Sequence, residues 1–268
     1  MLFMTSASAH AGDASGWDND IRSAVRLIGG SSIREPDGVV LRAGVEIKMQ
    51  PGWKTYWRYP GDSGVPPVFD FAASENVKSA TVLWPGPMRF PDGSGNSIGY
   101  KGGVVFPLRI VPVQPGKPVT LRLNLEYAVC ETLCVPAKGK AQLTLSGVAG
   151  SEEALLKSAE ARVPKAIVWG EGTSLGFHKA WRDKASDKGR VIVEVSAPPG
   201  AEVDLFAEGP TAEWSLPLPK PVAGAAAGTK RFSFELDGLP TGATAEGAVL
   251  KLTATSGREA VEAVFRLD

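Results

Sequence analysis

Soft metal ligands are scarce in this chain of 268 residues, which has two cysteines, two histidines and four methionines. Zinc asks for four ligands, or three with an open position. His10 near the start and His178 far from Cys130 and Cys134 do not supply such a set. Met1, Met4, Met49 and Met88 are too scattered to suggest a thioether site for copper(I). No metal or cofactor is therefore expected. Neither sign of charge is in surplus, with 29 Lys+Arg against 29 Asp+Glu. Without a basic excess or a polybasic run, nucleic acid and anionic lipid are not expected partners. No segment approaches the ~20 apolar residues of a membrane-spanning helix. Hydrolytic machinery is thin as well. Gly95-Asn-Ser97-Ile-Gly99 fits the Gly-x-Ser-x-Gly string, but no helix follows it, and a nucleophile elbow needs a strand-to-helix turn. His178 reads as a surface or satisfied histidine, and the helix dipole accounts for Glu152-Glu153 better than catalysis does.

What the chain does have is period-two alternation. Leu41, Ala43, Val45, Ile47 and Met49 share one face of an expected strand. Val119 to Tyr127 repeats the pattern with Thr120, Arg122, Asn124 and Glu126 outward. Further strands are expected at Arg190–Val195, Ala201–Phe206, Arg231–Leu236, Ala248–Ala254 and Glu259–Leu267. With 31 Gly and 21 Pro between short strands, the pattern predicts an all-β protein built of β-sandwiches. One helix is expected, capped by Ser151, acidic at Glu152-Glu153 and stopped by Pro164. The expected organisation is a first sandwich over 12–150, a linking helix over 151–169 and a second sandwich over 170–268. Residues 1–11 read like the remnant of a secretory signal, with a short apolar start and an Ala9-His10-Ala11 cleavage pattern, although a basic n-region is missing. Export would place the chain where a disulfide can persist.

Cys130 and Cys134, with three residues between them, stand at the end of the Val119–Tyr127 strand, in Tyr127-Ala-Val-Cys-Glu-Thr-Leu-Cys-Val-Pro136. A disulfide there closes a five-residue loop, and the chain-entropy gain is only about 2 kcal/mol. A chain of this size has little need of so small a brace, which favours an exchange couple. The bare spacing alone fits a structural bridge equally well. Exchange needs an accessible sulfur, control of the thiolate and protection from the wrong oxidant. Glu131 should oppose ionisation, whereas Lys138 and Lys140 are placed to help it. Protection could come from the glycine-rich stretch Pro87 to Tyr100, which is otherwise an ordinary hairpin connection. Trp53, Tyr56, Trp57 and Tyr59 cluster in one segment that suits core packing or a carbohydrate face.

Several segments in order carry a family resemblance: Gly52-Trp-Lys-Thr-Tyr-Trp-Arg58, Pro60-Gly-Asp-Ser-Gly64 with Pro66-Pro67, Leu83-Trp-Pro85, Gly99-Tyr-Lys101, Val105-Phe-Pro-Leu108 and Tyr127 to Pro136. Over roughly residues 25–147 the chain resembles the N-terminal periplasmic domain of the DsbD/ScsB-type thiol:disulfide interchange proteins. The resemblance implies two immunoglobulin-like sandwiches, the second matching the second domain of ScsB-like members. It implies that Cys130 and Cys134 are the redox pair, with Cys134 the exchanging sulfur and Cys130 the resolving one. Phe90 is then the cap over the disulfide, with Tyr56 and Tyr100 as aromatics near the site.

The family's domain takes electrons from a membrane-embedded reductase through a thioredoxin-like domain and passes them to oxidised periplasmic proteins. Such proteins are thus the implied donors and acceptors, and the periplasm the implied compartment. The chain as read carries neither the membrane block nor the thioredoxin-like domain, so a separate partner is expected to feed it. Three residues between the cysteines are fewer than in the best-known members, which implies a tighter loop. The alternative is a binding or chaperone-like module with a structural disulfide, linked to copper tolerance or envelope assembly.

Overall fold

The computed structural model describes residues 13–62, 64–92, 95–171, 174–183 and 189–268. The leader-like stretch 1–11 lies outside them. Among the described residues, eleven strands build a first sandwich: β1 (Asp18–Asn19), β2 (Ser23–Glu35), β3 (Gly38–Met49), β4 (Lys54–Gly61), β5 (Val68–Asp70), β6 (Val77–Val82), β7 (Met88–Asp92), β8 (Gly95–Lys101), β9 (Gly103–Pro112), β10 (Val119–Cys130) and β11 (Cys134–Leu145). One sheet runs β1-β2-β3-β9-β6 and the other β11-β10-β4-β8-β7, with β5 also paired to β10. A helix, α1 (Glu153–Glu160), follows.

A second sandwich uses β12 (Lys165–Ala166), β13 (Gly176–Asp183), β14 (Arg190–Ser196), β15 (Asp204–Glu208), β16 (Lys220–Val222), β17 (Thr229–Glu235), β18 (Val249–Ser256) and β19 (Glu259–Arg266). Its sheets run β12-β19-β18-β15 and β13-β14-β17-β16. The fold is all-β and immunoglobulin-like, with one short helix among the described residues.

The alternation read from sequence sets the inward faces. Ala43, Val45, Ile47 and Met49 of β3 meet Leu121, Leu123, Leu125 and Tyr127 of β10 in one buried cluster. Thr120, Arg122, Asn124 and Glu126 turn away from it. Phe232, Phe234, Val261 and Ala263 lie in a second cluster. The first core does not end with the first sandwich, because Phe206 and Leu218 from the second half are packed into it.

Alternation fails where an outer face is also covered. Leu27 and Ile28 are both fully buried because Leu156 and Ala159 of α1 pack on Ile28 and Val105. Gly30 lets the helix approach, since a Cβ there would stand 2.5 Å from Leu156 Cδ2. Polar anchors complete the dock. Arg42 donates to Glu153 at 2.6 Å and to Glu160 at 2.5 Å, Arg109 donates to Glu160 at 2.6 Å, and Arg26 donates to Glu152 at 3.0 Å. The helix is strapped along the first sandwich. Ser151 does not cap it: the N-cap is Glu152, without a side-chain cap bond. The acidic pair that read as dipole complements is held by arginines of the sheet.

Candidate functional site

Cys130 ends β10 and Cys134 begins β11, so the chain reverses through three residues and the two cysteines face each other as a cross-strand pair. Their sulfurs are bonded at 2.08 Å. Paired residues share a sheet face and neighbours in the chain alternate. Val129 points into the core, so Cys130 points outward, and with it Cys134 and Lys54, the residue paired to Cys130 on its other side. Two residues along β4, Tyr56 shares that outer face. Across from Tyr56 lies Gly99, which is paired to Met88, and this puts Met88, Phe90 and Asp92 of β7 on the same side.

An outer face is ordinarily wet, but this part of it is roofed. Cys130 is 1% exposed and forms a small buried cluster with Tyr56 and Ala128, whereas Cys134 is exposed. The Tyr56 hydroxyl lies 2.7 Å from Cys130 Sγ and 2.9 Å from Cys134 Sγ. Disulfide sulfurs carry no proton, so the hydroxyl is the donor. It also reaches Asp92 Oδ2 at 3.3 Å, and that carboxylate accepts a 2.6 Å bond from Ser97 Oγ. Burial, then the Asp92 carboxylate, pushes the Tyr56 hydroxyl up to about 12, so it keeps its proton at neutral pH. Gly64, at φ +138°, presses its backbone on the ring, where a Cβ would fall 2.4 Å from Tyr56 Cε1.

Each residue read from sequence has a definite place. Tyr56 is against both sulfurs. Phe90 is buried on the face of the disulfide, its ring 4.7 Å from Lys54 Nζ and 5.6 Å from Lys101 Nζ. Pro87 to Tyr100 is a β-hairpin, β7–β8, and the hairpin residue that reaches the sulfur cluster through Tyr56 is Asp92. Tyr100 departs from expectation. It pairs with Thr55, so it faces the core, where it stacks edge-on with Phe106 and donates to the Pro85 carbonyl at 2.8 Å. Lys138 and Lys140 do not flank the sulfurs either. Lys138 lies four residues along β11 from Cys134, about 13 Å away at strand spacing, and is bonded to Glu126.

Trp57 is fully buried and Trp53 packs partly buried against the same core, so neither offers a carbohydrate platform. Ser97 is buried on β8 and bonded to Asp92, with no helix after it. Lys54 and Asp92 were not singled out in sequence, and Ser97 was weighed there only as a nucleophile. Lys54 was within reach, since it stands two positions from Tyr56 and must share its face. Its ammonium donates to the Pro91 carbonyl at 3.2 Å and so ties β4 to the hairpin.

Residues 34–146 match the family described as thiol:disulfide interchange protein DsbD, N-terminal. The resemblance read from the ordered motifs is thus shown by comparison over the first sandwich. No curated protein matches the chain. Among solved structures, the N-terminal periplasmic domain of ScsB from Proteus mirabilis is similar, with a TM-score of 0.72 and 19% identity. That match covers 95% of this chain and 98% of the other, and so extends the likeness of fold through both sandwiches. The family match and the bonded pair support a role in thiol–disulfide interchange.

Proposed function

We propose that this chain passes reducing equivalents to oxidised envelope proteins through Cys130 and Cys134, as a periplasmic protein-disulfide reductase component. In this reading it is reloaded by a thioredoxin-like domain or a membrane-embedded reductase. The same reading takes 12–150 as the redox sandwich, 151–169 as the strapped connection and 170–268 as the second sandwich. The observation that carries it is the asymmetry of the pair. Cys134 is exposed beside Leu133, which is itself 73% exposed, while Cys130 is buried under a tyrosine hydroxyl aimed at both sulfurs.

In the reduced protein the Cys134 thiolate attacks a sulfur of the acceptor's disulfide. The acceptor's S–S bond breaks, one acceptor sulfur leaves as a thiolate, and a mixed disulfide remains. Cys130, giving up its proton, then attacks Cys134 Sγ. This releases the second acceptor sulfur and restores the Cys130–Cys134 bond. Two electrons and two protons have passed to the acceptor. Tyr56 serves both halves, because its hydroxyl keeps its proton and can donate to whichever sulfur carries negative charge. Reloading is the same sequence run backwards from a reduced dithiol donor.

The test is the reduction potential of the pair, measured by equilibration in graded glutathione or dithiothreitol buffers with trapping of free thiols. A value between about −180 and −270 mV, the range of exchange proteins, is expected. A value below about −300 mV, or a bridge that opens only on denaturation, would leave a structural staple on a binding module.

A further inference from the structure

Tyr56 covers the disulfide and Asp92 of β7 is bonded to it, and both β4 and β7 are fastened to the second sandwich. Tyr56, bonded to the sulfurs, is followed on β4 by three residues that each contact that sandwich. The Trp57 ring lies 5.8 Å from that of Phe206. Arg58 donates to Glu208 at 2.8 and 2.7 Å and to Glu262 at 2.6 Å. The Tyr59 hydroxyl donates to the Leu216 carbonyl at 2.8 Å. On β7, Arg89 sits between Met88 and Phe90 and points the opposite way from both. It donates to Asp204 at 3.2 and 2.7 Å, to the Leu205 carbonyl at 3.2 Å and to the Pro219 carbonyl at 2.9 Å.

We propose that the second sandwich is a brace that sets how tightly β4 and the β7–β8 hairpin hold Tyr56 over the Cys130–Cys134 bond, with Arg89 and Arg58 as its positioning residues. The proposal deepens the exchange reading and rests on it. Among the described residues, β7 is the outermost strand of its sheet and pairs only with β8. Edge strands open at low free-energy cost unless something else holds them. Arg89 holds this one through a bidentate carboxylate and two backbone carbonyls, a planar fork that lysine cannot reproduce. Because Asp92 lies three residues on from Arg89 in the chain, loosening Arg89 frees the carboxylate that is bonded to Tyr56 over the sulfurs. The second sandwich holds no sulfur of its own. In this assignment it acts on the reaction by restricting approach to the bond.

The experiment follows reduction of the full chain by dithiothreitol, whose two thiols become a cyclic disulfide as Cys130 and Cys134 become thiols. Second-order rate constants are read by quenching and thiol trapping. Arg89→Ala and Asp204→Asn are each expected to raise the rate about tenfold, as the open population grows. The double variant should show no further gain, and Arg89→Lys should fail to restore the slow rate. Phe234→Leu serves as the control, since it weakens the second core while leaving all four bonds of Arg89 in place.

Unchanged rates in Arg89→Ala would overturn the brace. So would an equal acceleration by Phe234→Leu at matched urea midpoint, because the effect would then be global unfolding. The wild-type potential reports on the exchange reading separately. Acceleration in Arg89→Ala with a wild-type potential below about −300 mV would keep the brace and sink that reading.

Discussion

The first sandwich carries Lys54, Tyr56, Phe90, Asp92, Ser97 and two sulfurs on the outer face of one sheet, with Cys130, Tyr56 and Phe90 buried there. The matching outer face of the second sandwich, on β14 and β17, pairs Arg231 with Glu194 and lays the guanidinium 5.4 Å from the Trp181 ring. That is an ordinary way to finish a sheet. What separates the two sandwiches is the cover. Around Cys130 on β10 and Tyr56 on β4 the outer face is buried, and the tyrosine hydroxyl is aimed at both sulfurs. The difference teaches that the setting of the disulfide is made by a few residues of hairpin and one glycine turn, and does not come from the sandwich itself.

The largest effect expected is all or none. Within the covered patch the sulfurs are unequal, so Cys130→Ser should leave an exposed Cys134 that accumulates a mixed disulfide with a thioredoxin-like probe. Cys134→Ser should form none, because the remaining thiol is 1% exposed. Mass spectrometry of non-reduced samples decides it. If the two variants behaved alike, the asymmetry on which the exchange reading rests would be gone.

Next in size is the strap, which has no counterpart in the second sandwich among the described residues. Arg42 is 4% exposed and holds two helix carboxylates. Arg42→Met should cost about 3 kcal/mol, since removing one partner leaves buried charge uncompensated, and a shift in urea midpoint measures it. Burial opposes ionisation of Glu153, but hydrogen bonds from Arg42, Ser31 and Lys157 outweigh it and hold the carboxyl at about 2. A lowered carboxyl stabilises the fold above its ordinary range and loses that contribution as pH falls through about 4.5 towards 2. The wild type should therefore lose helix docking in acid, and Arg42→Met should show a flatter acid limb.

Removing a single oxygen should have a smaller effect. Tyr56→Phe keeps the ring under Gly64 and deletes the donor to sulfur. Hydrogen bonds to charged groups contribute about 1.5–3 kcal/mol, so alkylation of the reduced protein at neutral pH should slow about tenfold. An unchanged rate would mean that the hydroxyl only fills space. The hydroxyl of the wild type, raised to about 12, favours the folded state until base removes its proton. Stability should accordingly fall as pH rises from about 10 to 12, and less steeply in Tyr56→Phe.

Particular residues show how much of this was legible. The strand faces around Val45 and Leu123 follow from alternation, and the cysteine pair and Tyr56 came with the motif order. The expected strands Arg190–Val195 and Glu259–Leu267 lie within a residue of β14 and β19 at each end. β13 was not foreseen, because Gly176-Phe-His-Lys-Ala-Trp-Arg-Asp183 carries no clean alternation and has a bulge after Phe177. Tyr100 was misplaced because sequence proximity to the loop says nothing about pairing parity, and its partner Thr55 fixes it inward. Asp92 was hidden for a related reason. Its partners Tyr56 and Ser97 are brought to it by the pairing of β8 with both β4 and β7, which no local pattern announces.

The smallest effect expected tests the boundary of the covered patch. Lys138 and Glu126 form a 2.6 Å pair on the same outer face as the sulfurs, with side chains 76% and 64% exposed. Charge alone would make this lysine a candidate to stabilise a thiolate at Cys134. Distance and screening argue otherwise: at about 13 Å along the strand the separation exceeds the Debye length of about 8 Å in physiological salt. Exposed pairs of this kind contribute about 0–1 kcal/mol. Lys138→Ala should therefore leave the reduction potential, the alkylation rate and the urea midpoint close to wild type. Lys54→Met, bonded to the hairpin at Pro91 and paired to Cys130, should move all three. If Lys138→Ala changed the potential as much as Lys54→Met, long-range charge would be setting the chemistry, and the contrast between a roofed face and an open one would lose its cause.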